Sequence, residues 1–201
     1  MNLSDSMRDK IIYAAFDEFA EKGYDLASTN QIHRMAGVSK GVIFKIFGSK
    51  MELYYQVIES ALDHMLAELE KIDFKAYSDP IERIVAIFMW KMDFARRYPE
   101  ATKVMLAAIL SPPVALADRF RKKLTELRKI SIGVCFEDVS WDFIAPEYSR
   151  EEVLEFMEIS VLGFQEKFTQ QRPDLDSMEA IRTQSIRYLK TLLKGMERSN
   201  G

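Results

Sequence analysis

The chain has very little cysteine and histidine. Its 201 residues include one cysteine, Cys135, and two histidines, His33 and His64. One cysteine cannot form an internal disulfide, and neither histidine has a second metal-ligating side chain at a suitable spacing. The Gly-x-Ser-x-Gly, P-loop and Gly-x-Gly-x-x-Gly motifs are missing too. We therefore expect no metal, no cofactor and no enzymatic activity, in a reducing compartment.

Long apolar runs are also missing. The longest ones, such as residues 84–90 and 104–110, are far shorter than the roughly 18 residues that a membrane span needs. The first residues are polar and charged, unlike a signal peptide. A hydrophobic content of 48% is nevertheless enough for a real core. The sequence predicts a soluble, cytoplasmic protein without a membrane partner.

Acidic residues are absent from one particular segment. The chain as a whole is acidic, with a net charge of −3, yet no Asp or Glu lies between Leu26 and Met51. Four cations occur in this segment: Arg34, Lys40, Lys45 and Lys50. An acid-free window on an acidic chain favours a surface that meets an anion. The alternative is a chance gap in the distribution of acids.

Glycine and proline are sparse, at eight and six residues, and apolar residues recur at helical spacing nearly everywhere. Gly23 should end the first helix, and Pro80 should begin a later one. Capping boxes predict four helix starts, one of them the start at Pro80: Ser49 with Glu52, Asp79 with Glu82, Ser149 with Glu152, and Asp176 with Glu179. No stretch alternates with a period of two. The sequence predicts an all-α protein with about nine helices and a long loop at residues 140–148.

The acid-free segment itself reads as two short helices. Ser28 or Thr29 should begin the first, Gly37 should turn the chain, and Ser39 should begin the second. Packed on the longer helix before them, they predict a helix-turn-helix. A helix of this length fits the DNA major groove, and its N-terminal amides favour phosphate. The alternative is an ordinary helical hairpin with a solvated basic face.

The residues at 14–54 carry a family resemblance. Paired alanines and phenylalanines, "KGY", "AGVSKG", an aromatic pair and "SK" follow one another there. This pattern resembles the DNA-binding domain of TetR-family transcriptional regulators. The resemblance implies a DNA-binding domain at residues 1–50 and an effector-binding and dimerisation domain at residues 51–201. It also implies a homodimeric repressor that a small ligand releases from a palindromic DNA operator.

The resemblance assigns DNA contacts residue by residue. It places Thr29, Ser39, Phe44 and Lys50 near phosphates, and Asn30, Lys40, Gly41, Val42 and Lys45 toward bases. Elementary chemistry agrees, since asparagine can pair with adenine, lysine with guanine acceptors, and valine with a thymine methyl. The chain departs from the family pattern at Phe44 and Ile46, where hydroxyl or imidazole contacts to phosphate are missing. It also departs at His33, which replaces a customary alanine.

The larger part of the chain is rich in adaptable apolar side chains. Residues 84–94 are apolar nearly all round, which predicts burial in a core or along a cavity. Mostly apolar pockets suit small molecules, and the family usually has one here. The candidate pocket residues are Phe88, Met92, Met105, Phe120 and Phe164. For each of them, a plain core position is the alternative.

The last two long helices, about 149–171 and 177–197, both carry wide apolar stripes. One face must cover the core, and the surplus predicts a partner subunit. Gly163 would cost about 1 kcal/mol in a helix interior unless a close helix approach makes use of it. The family's two-fold interface is compatible with these stripes. The candidate interface residues are Phe156, Ile159, Gly163, Leu189 and Leu192.

Two other interpretations stay open at this stage. The first is a helix-turn-helix regulator that needs no small ligand and acts constitutively or with a protein partner. The second is an all-α interaction scaffold that does not bind DNA, which the missing phosphate contacts at Phe44 and Ile46 would allow.

Overall fold

A computed structural model describes residues 7–169 and 175–197. This part of the chain forms nine α-helices and two short 3-10 helices, Phe74–Ala76 and Val114–Leu116. The α-helices are α1 Met7–Leu26, α2 Thr29–Met35, α3 Lys40–Phe47, α4 Lys50–Leu69, α5 Pro80–Arg97, α6 Pro99–Leu110, α7 Ala117–Phe136, α8 Arg150–Thr169 and α9 Leu175–Leu193. Within the same residues, the extended pairing is an isolated bridge between Ile144 and Glu197. The predicted all-α class is confirmed.

The helix ends follow local sequence signals. Gly23 has a φ of 70° and interrupts α1, as expected for its left-handed conformation. Pro80 is the first residue of α5. Ser149 and Glu152 form a reciprocal box, in which the Ser149 N–H donates to the Glu152 carboxylate at 2.8 Å and the Glu152 N–H to Ser149 Oγ at 3.2 Å. The predicted starts at Pro80 and Ser149 are therefore confirmed, whereas α1 is interrupted at Gly23 and continues to Leu26.

In two of the other predicted capping boxes, the side chain before the helix accepts a hydrogen bond from a backbone N–H of the first turn. Ser49 Oγ accepts a hydrogen bond from the Glu52 N–H at 3.0 Å. Asp79 Oδ1 accepts from the Ile81 N–H at 2.8 Å. The fourth box depends on Asp176, whose side chain lies outside the described residues. The segment between α7 and α8 contains the loop expected at residues 140–148.

The chain divides into two compact units. The first comprises Met1–Glu68 and Phe94–Lys129, and the second comprises Leu69–Asp93 and Ile130–Gly201. These two units are defined by contacts between residues. The boundary expected at residue 50 instead separates DNA binding from effector binding and dimerisation, and it stays a prediction.

An aromatic cluster organises the interior of the first unit. Phe19 of α1 meets Tyr54 of α4 edge-on, with 4.8 Å between ring centroids. The ring centroids of Phe120 in α7 and Tyr55 in α4 are 5.3 Å apart. The aliphatic residues buried in the same unit include Ile11, Ile12, Leu53, Val57, Ile58, Leu62 and Leu116. Large rings with many contacts therefore hold α4 to both α1 and α7.

A buried arginine organises part of the second unit. Arg83 is only 3% exposed, and its guanidinium donates to the carbonyl oxygens of Tyr77 at 2.6 Å and Cys135 at 2.9 Å. It also donates to both oxygens of Asp138, at 2.6 and 3.2 Å. These hydrogen bonds lower the pKa of Asp138 below its ordinary value. Because its partners satisfy the guanidinium, the buried charge is tolerated.

None of the helices within residues 7–169 and 175–197 is, by itself, long and apolar enough to cross a membrane. One bent pair, Pro99–Leu110 with Val114–Phe136, reaches the required length and composition only jointly, across an 89° bend. In the same described ranges, no group of three or more His, Cys, Asp and Glu side chains is placed to hold a metal ion.

The position of Cys135 leads to a prediction about thiol reactivity. The thiol is 1% exposed, and burial raises its pKa to about 12, although Lys91 and Arg83 act in the opposite direction. Because the thiolate is the reactive form, native protein at pH 8 should react with an aromatic disulfide reagent far more slowly than unfolded protein, whose thiol titrates near 8.5. Equal rates for native and unfolded protein would contradict this placement.

Candidate nucleic-acid interface

The two short helices are held by a small buried core. Ile32 and Ala36 share one face of α2 and are 0% and 8% exposed. On α3, Ile43 and Phe47 are 0% and 3% exposed. Val38, in the turn between the helices, is half-buried. This core points one side of α3 inward and leaves the other side in solvent.

The turn between the two helices has the expected geometry. Gly37 has a φ of 66°, a conformation that glycine adopts without steric cost. The Val38 N–H donates to the His33 carbonyl at 3.1 Å, and His33 Nδ1 lies 3.2 Å from the Val38 carbonyl oxygen. His33, where the family usually has alanine, therefore braces the turn from within α2.

A buried acid fixes the start of α2. Glu18 is only 2% exposed, and its carboxylate accepts from the Ser28 N–H at 2.9 Å and from Lys22 Nζ at 3.0 Å. Ser28 precedes α2 as expected, but its hydroxyl makes no capping bond to a described residue. Sequence reasoning missed Glu18. The available signal was an acid in the apolar stripe of α1, next to Phe19.

The outward face of α3 carries two lysines and no acid. Lys40, Gly41 and Lys45 are exposed, and Val42 is half-buried. Ser39 precedes the helix without a capping bond from its side chain to any described residue. The first amides of a helix have no intrahelical acceptor, so this end can receive an anion. Of the base-contacting residues predicted in α3, Lys40, Gly41 and Lys45 are thus accessible to solvent, and Val42 is partly accessible.

The remaining predicted contacts flank this surface. Asn30 is exposed and Thr29 is half-buried at the start of α2. The ring of Phe44 is 38% exposed, and Lys40 Nζ lies 5.9 Å from its centroid. Apolar ring surface therefore stands where the family has a hydroxyl, with a cation held above it.

Lys50 has a partner that the sequence did not indicate. Its Nζ donates to the Asp25 carbonyl at 3.1 Å and lies 4.9 Å from the centroid of the Tyr24 ring. These contacts tie the start of α4 to the end of α1. A carbonyl oxygen carries no net charge, so the ammonium keeps its positive charge and can still attract a phosphate.

A family model described as "Bacterial regulatory proteins, tetR family" matches residues 11–57. The chain carries the DNA-binding domain of the TetR family. It is 32% identical to the HTH-type transcriptional regulator RutR of Escherichia coli K12 over 117 residues, which are 58% of this chain and 54% of that protein. It is 31% identical to the transcriptional activator FasR of Mycolicibacterium smegmatis over 90 residues, which are 45% of this chain and 41% of that protein. The chain spans about half the length of the curated relatives it matches.

Solved structures share the fold over nearly their whole length. The fatty acid degradation regulator FadR from Bacillus halodurans has a TM-score of 0.69 at 16% identity, with 90% of this chain and 96% of that chain covered. A transcriptional regulator from Rhodococcus sp. RHA1 has a TM-score of 0.67 at 22% identity, with 96% and 99% covered. At these identities the likeness shows the fold alone.

The candidate pocket residues do not assemble within either unit. Phe88 and Met92 belong to the second unit, whereas Met105 and Phe120 belong to the first. Phe88, Met105 and Phe120 are buried, at 0%, 5% and 3% exposure. Phe164, in the second unit, lies 5.6 Å from the ring of Tyr188.

The candidate dimer residues fall into two groups. Ile159 and Leu192 are 61% and 42% exposed, Gly163 is exposed and Phe156 is half-buried. Leu189, by contrast, is fully buried. It belongs to a core stripe on α9 that repeats every four residues: Ile181, Ser185, Leu189 and Leu193. Leu189 therefore has no free surface to offer a partner subunit.

Gly41 allows folding and DNA contact to be tested separately. A Cβ added there would meet nothing closer than Ser39 Oγ at 4.0 Å, and alanine favours a helix over glycine by up to about 1 kcal/mol. Gly41→Ala should leave the free energy of unfolding unchanged or slightly higher, as a denaturant titration would measure. We nevertheless expect it to weaken binding to operator DNA, because the family resemblance places Gly41 toward the bases and the added methyl group would stand between them and the backbone.

The matched control is Gly195→Ala, whose new Cβ would be 3.8 Å from the Leu192 carbonyl oxygen and far from α3 in sequence. It should leave DNA binding unchanged. If Gly41→Ala binds operator as well as the unmutated protein does, the N-terminus of α3 does not face DNA.

Proposed function

We propose that this protein is a transcriptional regulator that reads a palindromic DNA operator as a homodimer. The observation that carries the proposal is the exposed, acid-free face of α3, held in place by Ile32, Ile43 and Phe47. A helix presented in this way can enter the major groove, with its first residues toward the base edges. The match of residues 11–57 to the TetR family model supports the same reading.

The contacts divide by chemistry. Lys40 and Lys45 can donate to guanine acceptors, Asn30 can pair with adenine, and Val42 can pack on a thymine methyl. These contacts would supply sequence preference. The predicted phosphate contacts, Thr29, Ser39, Phe44 and Lys50, would instead fix the register of the protein on the duplex. Ser39 is suited to this role because its hydroxyl is not used as a helix cap.

Lys50 and Lys45 should respond differently when they are replaced by alanine. Lys50→Ala should weaken binding about equally on all sequences, and it should lower the log–log salt slope of a dimer by roughly 2, because two phosphate contacts are lost. Lys45→Ala should relax preference at particular operator positions, at a cost of about 1–3 kcal/mol per base contact. Fluorescence anisotropy titrations on operator and scrambled duplexes at several salt concentrations would measure both effects.

Lys122→Ala is the control for a general loss of charge, because Lys122 is an exposed cation on α7, outside the acid-free segment. It should change neither the salt slope nor the sequence preference. If no duplex binds more tightly than the roughly 10⁻⁶ M of non-specific association, the proposal fails. The basic segment would then be a solvated face of an interaction scaffold.

We place the dimer interface on the outer faces of α8 and α9. The residues that support it are Phe156, Ile159, Gly163 and Leu192, which keep exposed or partly exposed surface. At Gly163 an added Cβ would meet no described atom within 4 Å. A partner helix could therefore approach the backbone closely there. The buried Leu189 is left out of this interface.

A charge placed on this surface should separate the subunits. Gly163→Glu and Ile159→Glu each put a carboxylate where an apolar contact is proposed, so sedimentation should change from about twice 23.3 kDa to a monomer. Leu110→Glu is the matched control, since Leu110 is 76% exposed on α6 and outside the interface. Unmutated protein that is monomeric at micromolar concentration would contradict the assignment.

We further propose that the regulator is a repressor that a small apolar or amphipathic ligand releases from DNA. The apolar α5, with Met89 and Met92 only half-buried, supports a site for such a ligand. A second candidate is a regulator without a small effector. The complete burial of Phe88 and the close packing of Phe120 on Tyr55 favour that form. Only the first form would lose its operator when an apolar ligand binds.

A further inference from the structure

Within the first unit, a row of ion pairs joins helices α4 and α7. Near the start of α7, the Arg119 guanidinium donates to both oxygens of Glu52, at 2.6 and 3.2 Å. One helical turn later, Lys123 Nζ donates to Asp63 at 2.8 Å and lies 3.5 Å from Glu59. We call these contacts the first and second rungs.

The first rung continues, through further side-chain contacts, into the DNA-binding domain. Glu52 Oε1 also accepts from Gln56 Nε2 at 3.2 Å, and Gln56 Oε1 accepts from Arg8 at 2.7 Å. The Arg8 guanidinium lies 5.6 Å from the centroid of the Phe47 ring. Phe47 is the last residue of α3. A continuous series of side-chain contacts thus runs from α7, through α4 and α1, to the end of the helix that faces DNA.

Within this series, Glu52 connects Arg119 of α7 to Gln56 of α4. Its backbone N–H donates to Ser49 Oγ at 3.0 Å, so the residue is fixed within the first turn of α4, directly after α3 ends. On the other side, Arg119 stacks on Tyr55 with 3.6 Å between the guanidinium carbon and the ring centroid. The hydrogen bond from Arg119 lowers the pKa of Glu52 below its ordinary value. The carboxylate is therefore ionised at neutral pH.

The ion pair of the first rung contributes little to the free energy of folding, but its geometry can fix the relative orientation of α4 and α7. Exposed ion pairs contribute only about 0–1 kcal/mol to folding, and Arg119 and Glu52 keep 45% and 33% of their side-chain surface exposed. A bidentate arginine that also stacks on a ring, however, restrains direction as well as distance. Base contacts depend on such placement, because hydrogen bonds weaken steeply when they are misaligned.

We propose that Arg119 and Glu52 are positioning residues for DNA reading, which set the orientation of α3 through Gln56, Arg8 and Phe47. The inference rests on the proposed function, since it assigns to that same DNA-reading surface the residues that aim it. Neither residue touches DNA in this account. Their effect should fall on discrimination between operator and other DNA.

The second rung provides a matched control for the test. Arg119→Ala and Lys123→Ala each remove one cation from α7 and its ion pairing to α4, with Glu52 in the first case and with Asp63 and Glu59 in the second. Both variants should remain folded, with similar melting temperatures. Arg119→Ala should weaken binding to the operator about three- to tenfold, since two copies act in a dimer, whereas Lys123→Ala should change it less than twofold. The operator is the duplex that the unmutated protein selects from a random library.

Three further measurements separate positioning from a direct phosphate contact. Arg119→Ala should leave the salt slope and the affinity for scrambled duplex unchanged, because no phosphate contact is lost. Arg119→Lys should bind the operator more tightly than Arg119→Ala but less tightly than the unmutated protein, since lysine keeps the charge but cannot form the bidentate hydrogen bonds of a guanidinium. Glu52→Gln combined with Arg119→Ala should bind no worse than the weaker single variant, because both act through one contact.

Each contrary outcome has a distinct meaning. Operator affinity that is unchanged in Arg119→Ala would overturn this inference and leave the proposed function intact. A salt slope lowered by Arg119→Ala would show a direct phosphate contact and would also overturn it. An equal loss in Lys123→Ala would overturn the route through Glu52. If the unmutated protein selects no duplex, the proposed function itself fails, and this inference fails with it.

Discussion

The burial of Ile32, Ile43 and Phe47 is the constraint on which the rest of the DNA-reading surface depends. α3 has only 8 residues, and isolated helices of that length are not stable in water. Its existence and its direction must therefore come from packing against α1 and α2. Once Ile43 and Phe47 are turned inward, the helical period directs Gly41 and Lys45 outward. Lys40 is exposed because it is the first residue of the helix.

The surroundings of α3 show how an acidic chain presents a positive surface. The two acids that matter most nearby are engaged by internal partners. Glu18 is buried and bound to Lys22 and the Ser28 N–H, and Glu52 is paired with Arg119. Their negative charges are therefore offset locally, which favours the approach of a phosphate to the lysines and the N-terminus of α3.

The sequence alone was sufficient for features with a local cause. The turn at Gly37, the start of α5 at Pro80 and the box at Ser149 each depend on a few neighbouring residues, and all are present. Features made by distant residues were missed, because periodicity does not say which side chains meet. Arg119 is 67 positions from Glu52, and the buried stripe that takes Leu189 into the core is defined only once α9 has packed. The wide apolar stripe on α9 predicted contacts both with the core and with a partner subunit. It did not show which residues make which contact.

Hydrogen–deuterium exchange with and without operator DNA would show whether α3 contacts DNA, because it reports the contacted backbone without any mutation. If α3 enters the groove, amides in residues 36–50 should become protected by operator and much less by a scrambled duplex. The interior of α1 should already exchange slowly in both states, since Ile11 and Ala15 are fully buried. Protection confined to other segments, with residues 36–50 unchanged in an operator complex, would contradict the account.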